Sequence, residues 1–373
     1  MSTALAPERA PLDAGPADGA QPGGGAARAL RLSGDRLAVA VLAACFAVLA
    51  ALTWRRWGVP ELDAGAELTT ADLVKHGAHL YSDVRYYYGP LGLYSLALAF
   101  KVFGTGYTTA FGFGLLQAAA ILTAFYVLAR QWLPPLGAAL STGVLMAIGF
   151  SGTAFNFVLP HTNSATFGLL FLLLALLALS RERLLAAGLA VGLVGLTRPE
   201  FLAVAAGAAG AFLIARWRFE GRAAMLGGLW RIALPAVAVP AVVLGWFAAR
   251  VGLHTLIAEN LWPVKFISGG AKTESEWIPL TPASAVGLLL RGGIYLGLLG
   301  ALVAAVEGFG RRQGARRVIA LWPLAAAAAT IGLCDGALRA TGLLETQRSA
   351  IEHEARHLMI AMSWLPALGF VAA

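Results

Sequence analysis

Charge is scarce in this chain: Asp, Glu, Lys and Arg together make up 13% of its 373 residues, against roughly a quarter in soluble domains. Lysine is confined to Lys75, Lys101, Lys265 and Lys272, so the net charge of +8 rests on arginine. Those arginines are too few and too scattered for a nucleic-acid-binding surface. Two cysteines, Cys45 and Cys334, lie in or beside apolar runs and offer neither a disulfide framework nor a metal knuckle; they read as packing residues. No internal repeat and no polar stretch long enough for a soluble domain is present. Apolar residues are abundant instead, at 58% with 44 glycines besides, which excludes an ordinary soluble protein and points to a bilayer.

Residues 1–34 are rich in Ala, Pro, Gly and Arg without a periodic apolar face, which predicts a disordered cytoplasmic tail before a polytopic membrane domain over 35–373. The first apolar stretch, Leu37 to Trp54, follows Arg28, Arg31 and Arg36. Arg55 and Arg56 stand where a signal peptide would need small residues, so it reads as an uncleaved span. Further stretches able to cross begin near Tyr107, Pro135, Ser164, Leu184, Phe201, Leu229, Ala283, Val318 and His357. The expectation is an all-α polytopic membrane protein of about 10–11 transmembrane helices. Arg181 and Arg183, then Arg216, Arg218 and Arg222, then Arg311, Arg312, Arg316 and Arg317 are each separated by two apolar segments, so the positive-inside bias places all three clusters in the cytoplasm. That leaves 55–89 as a first, extracytoplasmic loop and 250–282 as a second, with most of the acidic residues outside. The short run from Pro90 to Gly104 must then start and finish on one face, or one cluster is misassigned. The chain stops at Ala373 inside the apolar run begun near His357, which suggests a longer natural product.

Acids and aromatics concentrate in the first outer loop. Asp63 and Glu67 are four apart, which on a helix puts both carboxylates on one face, as a general base and an orienting partner require; solvated interfacial acids have the same spacing. Tyr86, Tyr87 and Tyr88, beside Asp83 and Arg85 and before the Gly89-Pro90 break, suit either a belt at the membrane edge or a surface that stacks on sugar rings. His76 and His79 are a wet interfacial pair or two metal ligands, and glycines 188, 192 and 195 allow close helix packing.

An acidic residue shortly after the first span, followed by Gly77, Leu80-Tyr81, Asp83, aromatics, Gly89-Pro90-Leu91 and a short apolar run ending in Phe103-Gly104, resembles the GT-C glycosyltransferases, and within them the protein O-mannosyltransferase-like branch. The Pro160-His161-Thr162-Asn163-Ser164 connection and the glycine-rich helix running into Thr197-Arg198-Pro199-Glu200 are similar too. The resemblance covers roughly residues 37 to 205 and implies a GT-C-like bundle. Such enzymes transfer a sugar, with inversion, from a polyprenyl-phosphate donor to a protein, glycan or lipid acceptor on the outer face of the membrane. It implies Asp63 as the acceptor-activating base, Glu67 and Asp83 as supporting acids, and Arg85, Tyr86, Tyr88, His161, Arg198, Glu200 and Arg356 as substrate-binding residues. Arg198 is the candidate for the donor phosphate, although Arg198 and Glu200 equally suit a local ion pair. No cofactor is demanded, and a divalent metal is compatible with such a site. One departure concerns Ala64, which stands where the strongest family pattern has Glu after the catalytic Asp.

Two other readings compete. His353-Glu354-Ala355-Arg356-His357 has the H-E-x-x-H spacing of zinc metallopeptidases, but no His, Asp, Glu or Cys follows it as third ligand, leaving only upstream acids such as Asp335. A transporter or lipid flippase would use charges such as Lys101, Arg291 and Glu307 along a path, in two related halves that the sequence does not show.

Overall fold

A computed structural model describes residues 24–56, 63–151, 156–160, 162–260, 308 and 314–340, with the backbone alone for 24–33, 63, 258–260, 315 and 331–340. The described residues form eleven helices: α1 (Gly24–Thr53), α2 (Asp63–Lys75), α3 (Pro90–Phe103), α4 (Tyr107–Ala129), α5 (Pro135–Gly149), α6 (Asn163–Ser180), α7 (Leu184–Val194), α8 (Pro199–Glu220), α9 (Arg222–Val251), α10 (Leu253–Asn260) and α11 (Ala315–Ala340). Proline opens α3, α5 and α8, where its missing N–H would have no partner anyway. Thr162 caps α6 by accepting from the Ser164 amide, and glycines follow α3, α8 and α9. Among these residues five helices are long and apolar enough to cross a membrane, and side chains such as Leu116, Ile214 and Val242 lie exposed on their outer faces. The chain is an all-α polytopic membrane protein, with helix starts within a turn of those expected at Tyr107, Pro135, Ser164, Leu184, Phe201 and Val318. The spans expected from Ala283 and His357, the second outer loop beyond Asn260, Arg291, Glu307, Arg356 and the His353–His357 pattern lie outside the described residues.

Contacts at helix ends fix the directions. Asp35 near the start of the α1 span meets Arg130 and Tyr126 at the end of α4 (2.5 and 2.9 Å), while Trp54 packs against Phe111 near the start of α4. α1 and α4 are therefore antiparallel. Trp132, just past α4, packs with Val318 and Leu321, which brings the start of α11 with Arg316 and Arg317 to the Asp35 end. The Arg216 side chain and Leu184 flank Gly228, so the α6–α7 and α8–α9 turns adjoin as the arginine pattern requires.

α3 starts and finishes at the opposite end. Its first residues meet Leu196 and Ser164, and its exit loop is tied to α2, where Thr105 donates to Asp72 and accepts from Lys75 at 2.7 Å before α4 begins. At 14 residues it is about 21 Å long and does not cross. The arginine clusters and the short run are both accounted for by this same-face element, and Lys101 is exposed near its end instead of lining a path.

α7 differs from expectation. Counted as a crossing segment, it has only 11 residues, about 16 Å against a core of roughly 30 Å. It packs on α9, which at 30 residues is about 45 Å long and carries Pro235 and Pro240 inside. Gly188 makes the contact: a Cβ there would stand 2.3 Å from the Ile232 carbonyl oxygen. The Thr197–Arg198 turn that follows α7 packs beside α6, with Thr197 Oγ1 against Gly168, and Gly89 links it to Ser164 at the head of α6. Gly188→Ala is expected to destabilise the protein by about 1–3 kcal/mol through overpacking, whereas Gly227→Ala, which meets open space, stays within about 0.5 kcal/mol. Thermal unfolding of both variants in the same detergent checks this.

Candidate functional site

The Thr197–Arg198 turn is met by the segment between α2 and α3. After α2 the chain reverses at Gly77 and makes a short loop closed by a bridge between Leu80 and Val84. Tyr81 holds a left-handed backbone (φ 71°) there, fixed by its hydroxyl donating to the Tyr88 carbonyl at 2.7 Å and by its ring against Phe247 of α9. Asp83 accepts from the His79 amide (2.8 Å) and the Ser82 hydroxyl (3.1 Å), which hold its carboxyl below the usual range. It is exposed, as is Arg85.

Tyr86 turns the other way. Its buried hydroxyl lies 3.2 Å from Glu67 Oε1, 3.2 Å from Thr162 Oγ1 and 3.1 Å from Ser164 Oγ. Glu67 Oε1 also accepts from the Asn163 amide at 3.1 Å, and the Ser164 hydroxyl donates to the Gly89 carbonyl at 3.2 Å. Glu67 is 6% exposed, and burial pushes its carboxyl up to about 7 despite these hydrogen bonds. Burial and the neighbouring Glu67 raise the Tyr86 hydroxyl well above its ordinary value, so it stays protonated.

The next residues bind the turn between α7 and α8. Gly89 N donates to the Thr197 carbonyl (2.6 Å) and Leu91 N to the Leu196 carbonyl (3.1 Å). The approach demands glycine, because a Cβ on Gly89 would stand 2.2 Å from the Leu196 carbonyl. Tyr88 is thereby laid under Arg198, whose guanidinium lies 4.5 Å from the ring centre, and the Tyr86 and Tyr88 rings meet edge to face at 5.6 Å. Arg198 Nε stands 2.5 Å from Glu200 Oε1, but poorly aligned, so this buried N–H has no hydrogen-bond acceptor. The cation is positioned by a ring and a carboxylate and retains donors for an anion.

Five of the residues expected at the site are thus brought together: Glu67 and Tyr86 in one buried network, Tyr88, Arg198 and Glu200 beside it. The backbone of α2 sets Asp63 one turn before Glu67. Asp83 and Arg85 occupy the exposed part of the loop, and His161 and Arg356 lie outside the described residues. Reasoning from sequence did not single out Thr162, Asn163 and Ser164 as individual participants. Their signal is a polar triplet immediately before a leucine-rich run, the pattern of a helix cap. His76 and His79 are exposed, and His76 Nδ1 contacts the Asp72 carbonyl at 2.8 Å. Among the described residues no three His, Cys, Asp or Glu side chains are grouped to hold a metal ion.

No family model and no curated protein matches the chain. Among solved structures it is similar to ArnT from Cupriavidus metallidurans bound to undecaprenyl phosphate, at 14% identity and a TM-score of 0.39 over 80% of this chain and 76% of that one. It is also similar to the archaeal oligosaccharyltransferase AglB from Archaeoglobus fulgidus, in complex with an inhibitory peptide and a dolichol-phosphate, at 16% identity and a TM-score of 0.40 over 92% of this chain. The match spans 56% of AglB.

Because the Glu67 carboxyl ionises at about 7 when folded and near 4.5 when unfolded, its contribution to stability is fully present below pH 4.5 and is lost as pH rises through 7. Between pH 4.5 and 8 the native protein should lose about 3 kcal/mol relative to Glu67→Gln, which does not titrate. Unfolding midpoints of the two proteins across that range check this, and parallel curves would contradict it.

Proposed function

We propose that the chain is a membrane glycosyltransferase of GT-C architecture that moves a sugar from a polyprenyl-phosphate donor to an acceptor hydroxyl on the outer face, with inversion. The observation that carries this reading is Arg198, half-buried and stacked on Tyr88 at the end of the bundle opposite the arginine-rich turns, near the acidic helix α2. A lipid-linked phosphate needs a cation, and the turn after the short helix α7 supplies one. An acceptor hydroxyl needs a base within reach of its proton, and Asp63 at the head of α2 is the carboxylate assigned to that task. In the transfer the acceptor oxygen bonds to the anomeric carbon from one side while the bond from that carbon to the phosphate oxygen breaks on the other. The hydroxyl proton passes to Asp63, and the leaving phosphate is held by Arg198. One displacement of this kind inverts the anomeric centre.

Tyr88 provides an aromatic wall near the sugar, backed by the buried Tyr86, with Glu67, Asp83, Arg85, His161, Glu200 and Arg356 as supporting groups. The three arginine-rich turns face the cytoplasm in this reading, so the site opens on the outer side of a bacterial inner membrane. With undecaprenyl-phosphate-linked hexoses and pentoses as donors, Asp63→Asn should abolish transfer while leaving membrane insertion intact. Arg198→Ala should raise the KM for donor about tenfold or more, the loss of a charge-assisted hydrogen bond. Full activity of both variants would remove these residues from the mechanism.

A further inference from the structure

Glu67 is placed unlike a proton-transfer group. Its Oε1 accepts from the Asn163 amide and from the Tyr86 hydroxyl, and it is closed off from solvent. Tyr86 has one proton to share among three neighbouring oxygens, and Ser164 spends its own on the Gly89 carbonyl. With those two protons assigned, the Thr162 hydroxyl donates to the Tyr86 oxygen and the Ser164 oxygen is only its neighbour; the network joins three separate segments: α2, the tyrosine loop and the head of α6. α2 is held at its other end by Asp72, Thr105 and Lys75. We infer that Glu67 is a positioning residue: it locks the first half of α2 onto the N-terminus of α6 and so sets where Asp63 stands relative to the Arg198 turn. Only the task given to Asp63 rests on the function proposed above; the lock itself does not.

Asn163, Thr162 and Ser164 on α6 carry no charge, so the titratable groups facing Glu67 are Tyr86 and, across Tyr88, Arg198 with Glu200; Asp63 and Asp72 lie on its own helix. A carboxyl raised by burial fits a group that works as a hydrogen-bond partner in neutral form. Glutamine keeps the acceptor oxygen at the same place and should preserve the lock, whereas alanine removes it.

The test measures distance and turnover together. Spin labels on Thr69→Cys of α2 and Ala203→Cys of α8, both exposed, with Cys45 and Cys334 replaced by serine, report the placement of α2 in the full-length protein. Glu67→Ala should broaden the distance distribution and lower kcat about 100-fold, with KM for undecaprenyl-phosphate-linked sugar little changed. Glu67→Gln should keep both the distribution and most of the turnover, and should flatten the pH dependence of the distribution between 4.5 and 8. Asp63→Asn should leave the distribution as in the native protein. The inference is overturned if Glu67→Ala leaves the distances unchanged, or if Glu67→Gln is as inactive as Glu67→Ala with native distances, the mark of a group in the chemistry itself. Should the native protein turn over no lipid-linked sugar, the proposed function falls, and the distance measurement still decides the lock.

Discussion

A polar side chain inside an apolar bundle is tolerated only where each donor finds an acceptor, and this requirement shapes the end of the molecule opposite the arginine-rich turns. Glu67, Tyr86, Thr162, Asn163 and Ser164 meet it jointly, each satisfying groups contributed by another segment. None of the three segments can shift without leaving a buried oxygen or N–H unpaired. The backbone contacts of Gly89 and Leu91 with Thr197 and Leu196 extend the same constraint to the α7–α8 turn. The placement of Arg198 follows from these hydrogen bonds and from the end of α7 at Val194, with the Tyr88 ring and the Glu200 carboxylate beside its guanidinium.

The architecture supports this by separating two tasks. The apolar helices pack through small residues, as at Gly188 of α7 against α9, and present large apolar side chains outward. The short elements α2 and α3 do not span; both stay at one end, and α2 with the loop between them carries much of the polar chemistry. Asp72 and Lys75 of α2 bind Thr105 just past α3, and Phe247 of α9 supports the loop through Tyr81 and α3 through Tyr94.

Helix placement was legible in the sequence because apolar runs bounded by Pro, Gly and Arg admit few alternatives. That the arginine-rich turns share one end of the bundle was legible too. Crossing was not: eleven apolar residues from Leu184 look like part of a span, and only packing on α9 and the turn at Thr197 reveal where α7 ends. At the site, Glu67, Tyr86, Tyr88 and Arg198 stood out by residue type and setting, while Asp83 stood out equally and is tied to its own turn. A buried and an exposed carboxylate have the same sequence signature when their partners are distant in the chain, as Asn163 is from Glu67. The role of Thr162–Ser164 was hidden for the same reason, since a helix cap and a network hub use the same residues.

The unequal lengths of α7 and α9 have a geometric result. Two neighbours in close contact differ about threefold in length, and the longer runs on to the point where Phe247 meets Tyr81. The tyrosine loop therefore has a tall wall on its α9 side and a low one on its α7 side, so the two flanks of the Arg198 turn are unequally sheltered.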